Sequence, residues 1–219
     1  MRLYLSSYRT QETAGHLLDL AGGPCRAVVI SNAVDMIPIA ERQAYARKIH
    51  DPVIELRDAG LDAADLDLRD YFANSAALER DLADVGLVWA VGGNAFLLRR
   101  ALRQSGLDVL LARRLADDSL AYGGWSAGAC VAGSTLRGLH LMDEPELVTP
   151  GYDREMIWDG MGLVDFAIVP HFASDHAEAQ AADRAAAYMA ANAIPYRTLR
   201  DGEAILRRGD QTLVIGAPI

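Results

Sequence analysis

The chain has 219 residues, 51% of them hydrophobic and 23% charged, with a formal net charge of −9 and a pI near 5.0. That size fits one domain spanning residues 1–219, with enough apolar side chains for a sizeable core. An acidic balance without a lysine or arginine block argues against nucleic acid or an anionic membrane as partner, and no apolar run approaches the roughly 20 residues that cross a bilayer.

Met1–Ser6 is too short in its apolar part for a signal peptide and reads, over Arg2–Ser6, as a first strand. Gln11–Leu20 follows with a helical pattern, then a strand over Ala27–Ser31. Ile39–Ala59 is helical, with a break expected near Asp51 because Pro52 lacks the N–H of a helix interior. Leu66–Leu68 reads as a short strand, Ala76–Ala83 as a helix and Leu87–Val91 as a strand. Ala95–Ala116 is helical and should split at Gly106, where Ser105-Gly106 looks like a C-cap. Leu120–Gly123 and Ala167–Pro170 are further strands, and Ala177–Ala191 is an alanine-rich helix. Tyr196–Leu199, Ala204–Arg207 and Thr212–Ile215 read as short strands of an antiparallel tail, with a tight turn at Gly209-Asp210. The alternation of apolar strands with helices predicts an α/β fold, a three-layer αβα sandwich on a mostly parallel sheet.

Such a sheet binds ligands outside the carboxyl ends of its strands. Three chemically promising loops fall there. Gly124-Trp125-Ser126-Ala127-Gly128 has the G-x-S-x-G pattern between a strand and a helix, which lifts a serine hydroxyl to the sheet edge on a strained turn. His171 leaves the Ala167–Pro170 strand and is the favoured base for Ser126; His140 lies in a loop, His16 and His50 on surface helices, and His176 near a helix start. Gly92-Gly93-Asn94 follows the Leu87–Val91 strand. Gly93 there, with the Ala127 amide, would supply two oxyanion donors.

A histidine base needs a carboxylate on its far nitrogen. Asp201, ending the Tyr196–Leu199 segment, is favoured; Asp143, Glu144, Asp165 and Asp175 remain rivals. No nucleotide fingerprint or metal-ligand spacing is present, so no cofactor and no metal are expected. Cys25 and Cys130 form no C-x-x-C pair and suit free thiols in a reducing cytoplasm, the location expected for the protein.

Three segments together resemble the peptidase E (aspartyl dipeptidase) family, which shares its fold with class I glutamine amidotransferases. They are G-W-S-A-G-A at Gly124–Ala129, G-G-N-x-F at Gly92–Phe96 and P-H-F at Pro170–Phe172. The resemblance implies a serine exopeptidase for small peptides, Asp-X dipeptides in particular, acting through an acyl-enzyme with Ser126 as nucleophile and His171 as base. The family's L-x-E-G segment falls on Leu199–Gly202, where Asp201 replaces a glutamate. Asp-X selectivity needs a cation for the substrate carboxylate, for which Arg137, Arg154 and Arg200 are candidates. It also needs an acceptor for the free amine, for which Asp143 and Glu144 are candidates, and Asn94 joins them in the expected substrate-binding set. The expected partners are a small peptide substrate and a second copy of the chain in a homodimer. Two other readings stand beside this one: an esterase or other acyl hydrolase using the same serine, and an amidotransferase-like protein that binds a ligand without turnover.

Overall fold

The computed structural model describes residues 1–8 and 13–216. Its main sheet has seven strands in the order β3-β2-β4-β5-β1-β8-β9. These are β1 Arg2–Ser6, β2 Arg26–Ile30, β3 Asp62–Asp65, β4 Val85–Ala90, β5 Ala121–Trp125, β8 Ala204–Arg208 and β9 Gln211–Ile215. The first five are mutually parallel, whereas β8 runs antiparallel to β1 and β9 antiparallel to β8. The helices are α1 Thr13–Ala21, α2 Ile39–Lys48, α3 Pro52–Asp58, α4 Ser75–Asp81, α5 Ala95–Ser105, α6 Leu107–Ala116, α7 Ala127–Cys130 and α8 Ala179–Ala191.

Strand alternation divides the core between the two faces of the sheet. Leu3, Leu5, Val28, Ile30, Val88 and Ala90 join one buried cluster, together with side chains of α5, α6, α7 and α8. The intervening Tyr4, Ala27, Val29, Leu87 and Trp89 join the other, with Leu17, Leu20, Val53 and Leu56 from α1 and α3. Helices on both faces explain why these strands read as continuous apolar runs rather than alternating ones.

Local chemistry sets the helix ends. Asp51 caps α3 by accepting from Val53 and Ile54 N–H, so the expected break before Pro52 is a true helix boundary. Asn94 caps α5 through Leu97 N–H, and Gly106, at φ +78°, ends it in the left-handed region. The turn Gly209-Asp210 joins β8 to β9 as expected. Gln11 and Glu12 of the first expected helix lie outside the described residues.

Two strand expectations are corrected. The edge strand is Asp62–Asp65 rather than Leu66–Leu68, and Leu68–Tyr71 forms a 3₁₀ turn. Only Ala63 of β3 is buried, so the strand carries almost no hydrophobic signal; Leu68 N–H instead donates to Asn32 Oδ1 at 3.1 Å. Two of the strands after α7 also lie outside the main sheet. β6 Ala167–Val169 and β7 Tyr196–Thr198 pair parallel as a separate two-stranded sheet, so β7 is not part of an antiparallel tail. They are joined through α8, and a crossover helix returns a strand parallel to its partner.

Candidate active site

Ser126 sits between β5 and α7 at φ +50° and ψ −115°, a conformation that costs a non-glycine residue free energy. Its N–H is held by the carbonyls of Ser6 and Ser7, at 3.1 and 3.0 Å, at the adjacent end of β1. Both flanking glycines are demanded by β4. A Cβ on Gly124 would lie 2.7 Å from the Ala90 carbonyl oxygen, and one on Gly128 would lie 2.1 Å from it. The motif therefore packs α7 directly against the neighbouring strand.

The next chain segments bring a base and a carboxylate to this hydroxyl. His171 follows β6 at φ +60° and is 2% exposed. Its Nε2 lies 3.2 Å from Ser126 Oγ, and its Nδ1 lies 2.8 Å from Asp201 Oδ1. Leu199 N–H donates to the Val169 carbonyl and Phe172 N–H to the Leu199 carbonyl, so the β6–β7 pairing clamps the Asp201 loop onto the His171 loop. Ser174 Oγ accepts from Asp201 N–H at 2.8 Å. Burial alone would raise the Asp201 carboxyl, but hydrogen bonds from His171 and Ser7 hold it below the usual carboxylate range.

Ser7 escaped the sequence reading. It is fully buried at the end of β1, accepts from His171 N–H at 2.7 Å and donates to Asp201 Oδ1 at 2.7 Å. Its position at a strand's carboxyl end was the available signal. His176, expected as a surface or capping residue, is half-buried and accepts from Glu178 N–H just before α8, and its ring stacks on His171, ring centroids 3.8 Å apart and 8° from parallel. Glu178 brings Oε2 to 3.8 Å from His171 Nε2. His171, His176 and Glu178 are the one group of three possible metal ligands found among the described residues. Stacked rings point their in-plane lone pairs side by side rather than at a common point, and His176 Nδ1 already accepts from Glu178 N–H.

A cavity of about 730 Å³ opens from Ser126 and His171 past Gly92, Gly93 and Trp125. Gly93, at φ +136°, approaches Ala33 so closely that a Cβ would stand 2.5 Å from its carbonyl oxygen. His50, expected to be a bland surface residue, lines this cavity beside Trp125.

The rest of the expected substrate-binding set lies elsewhere. Asn94 donates from Nδ2 to the Glu144 carbonyl while capping α5, so its amide is committed to the fold. Asp143 accepts from Ala95 N–H at 2.8 Å, and burial pushes its carboxyl up to about 7. Arg137 lies over the Trp158 ring. None of Asn94, Arg137, Asp143, Glu144, Arg154 and Arg200 lines the cavity. Cys130 is buried, with Sγ 3.5 Å from the Ile168 carbonyl, and Cys25 is also a free thiol. Among the described residues, no helix is long and apolar enough to cross a membrane.

Known proteins are similar to this chain over most of its length. The model of "Peptidase family S51" matches residues 8–215. A Streptomyces coelicolor peptidase E is 29% identical over 99% of this chain and 84% of its own length. A Drosophila melanogaster protein named "Probable alpha-aspartyl dipeptidase" is 27% identical over 63% of this chain and 56% of its own. The crystal structure of a candidate peptidase E from Listeria monocytogenes EGD-e superposes with a TM-score of 0.76 at 21% identity, covering 99% of this chain and 98% of that one, which shows the shared fold. The chain belongs to peptidase family S51 and is a serine-type peptidase of the peptidase E family.

Proposed function

We propose that Ser126, His171 and Asp201 carry out the peptidase reaction on short peptides, with Ser126 as nucleophile. The observation that carries this reading is His171, placed 3.2 Å from Ser126 Oγ on one nitrogen and 2.8 Å from Asp201 on the other. His171 Nε2 takes the hydroxyl proton as Ser126 Oγ attacks the scissile carbonyl carbon. Asp201 accepts from Nδ1–H, fixing the tautomer and stabilising the imidazolium. The Gly93 and Ala127 amides face the developing oxyanion. Collapse of the tetrahedral species breaks the C–N bond as His171 protonates the leaving amine, leaving an ester on Ser126. His171 then deprotonates a water that attacks the ester, and the acid product leaves with Ser126 restored.

The finer expectation of an N-terminal aspartate has support in the name of the Drosophila relative. Among the described residues lining the cavity, however, both arginines are ion-paired, and the three expected arginines are absent. The substrate class this site supports is accordingly short peptides. Ser126→Ala should lower kcat by about 10⁴-fold and abolish labelling by a fluorophosphonate. Wild-type turnover in that variant would overturn the assignment.

A further inference from the structure

Hydrogen bonds fix the position of the base more firmly than its plane. Ser7 Oγ holds the His171 backbone through its N–H, and Asp201 Oδ1 holds the ring at Nδ1. A bond at one nitrogen fixes a point of the imidazole, so the ring can still rock about that contact and carry Nε2 sideways off Ser126 Oγ. The Nε2–Oγ distance is 3.2 Å, at the long end of the reach of about 2.6–3.2 Å that a general base needs. A misplacement of about 1 Å at a reacting centre can cost about 10²-fold in rate. The contacts that restrain the plane are aromatic. The His176 ring lies 3.8 Å from that of His171 and 8° from parallel. Tyr8 meets both rings at a steep angle, with centroids 5.9 Å from His171 and 5.5 Å from His176.

We propose that His176 is a positioning residue of the peptidase reaction, its ring face holding the His171 imidazole in the plane that aims Nε2 at Ser126 Oγ. The proposal rests on the reading of Ser126 as nucleophile and His171 as base. His176 is itself anchored twice. Its Nδ1 accepts from Glu178 N–H at 3.2 Å, and its carbonyl accepts at 3.1 Å from the N–H of Ala179, the first residue of α8. That helix is seated by the buried Ala182, Ala185, Ala186 and Met189, so the stacked ring takes its orientation from a packed element. The bond from Glu178 N–H also means that Nδ1 carries no proton, and His176 therefore presents a neutral aromatic face. An imidazolium forming on His171 during proton transfer meets a π-face there rather than a second cation.

The test separates the ring face from the link to α8. His176→Asn keeps a side-chain acceptor for Glu178 N–H but has no ring, whereas His176→Phe keeps a flat ring and has no acceptor. Both are assayed for kcat and KM on a cleaved peptide and for the rate of labelling by an alkyl fluorophosphonate, which reads the Ser126–His171 pair without a peptide. His176→Asn should lose about ten-fold in kcat and in labelling rate, with KM within about two-fold of the wild type. His176→Phe should restore both rates to within about three-fold of the wild type. His176→Ala and His176→Tyr repeat the two arms, so that one poorly folding variant does not decide the outcome. Wild-type rates in the ringless variants overturn the proposal. So does equal loss in the ringed and ringless variants, which would assign the effect to the Glu178 bond, or a rise in KM at constant kcat, which would make His176 a substrate contact. Failure of the Ser126 reading has a different signature: hydrolysis by the Ser126→Ala protein at the wild-type rate.

Discussion

Ser7 Oγ lies 2.7 Å from Asp201 Oδ1, the same carboxylate oxygen that stands 2.8 Å from His171 Nδ1. One hydroxyl thus fixes the carboxylate, and by accepting from His171 N–H at 2.7 Å it also fixes the backbone of the base. It does this from the residue after β1, the strand paired with the one that leads into Ser126. Ser7→Ala removes a donor to Asp201 and leaves the buried His171 N–H without that acceptor. We expect kcat to fall by about ten-fold with KM nearly unchanged, because the substrate does not touch Ser7. Steady-state kinetics on a cleaved peptide check this; a rise in KM at constant kcat would place Ser7 in substrate binding instead.

Gly128→Ala tests the packing of the serine turn. The added Cβ would meet the Ala90 carbonyl at 2.1 Å, and that oxygen belongs to a central strand that cannot swing aside. We expect a loss of about 3 kcal/mol or more in urea unfolding, at the upper end of overpacking costs. Gly151→Ala is a control for the cost of positive φ alone: Gly151 has φ +91° and nothing within 4 Å of the added atom, so its loss should be smaller.

Asp201→Asn keeps the side-chain shape but removes the negative charge facing His171, so kcat should fall by about 10³-fold or more. The same residue links stability to acid. Its folded-state carboxyl is held below the ordinary value of 3.8 by His171 and Ser7, against the opposing effect of burial. Its contribution is therefore complete above that ordinary value and is lost as pH falls through the lower folded-state value. The wild type should lose stability below about pH 4 more steeply than Asp201→Asn. Parallel slopes in urea titrations at pH 2–5 would show that Asp201 gains nothing from its partners.

What sequence made legible was the part of the site written locally. Ser126 between two glycines, the Gly92-Gly93 turn and His171 at a strand end each carry their geometry within a few residues. Asp201 stood among four rival carboxylates because its selection depends on β6 and β7 pairing outside the main sheet. Ser7, His50, His176 and Glu178 were missed for the same reason: each reaches the site by topology, from an element whose own pattern is ordinary. The edge strand was misplaced because β3 buries only Ala63, too little for a hydrophobic signal. The arginines proposed for substrate binding were chosen by residue type alone, and the fold spends Arg137 on the Trp158 ring instead.

Asp143 offers a pH signature of opposite sign to that of Asp201. Burial raises its carboxyl to about 7, the nearby Glu178 charge adds to this, and the hydrogen bond from Ala95 N–H and the His171 charge only partly oppose it. The folded protein therefore retains a proton there that the unfolded chain releases above 3.8. Between about pH 4 and 7 the native state binds more protons than the unfolded state, so this group costs stability as pH rises, and the cost levels off above about 7. Asp143→Asn removes the ionisation while keeping an oxygen that can accept from Ala95 N–H. The variant should match the wild type near pH 4 and exceed it by roughly 1–2 kcal/mol above pH 7, a figure reduced for the partial solvent exposure of the side chain. Urea unfolding at pH 4, 6 and 8 measures the difference directly. A constant offset across that range would mean that Asp143 is already ionised at pH 4 in the folded protein, and that its carboxylate is stabilised by Ala95 and His171 more than burial opposes it.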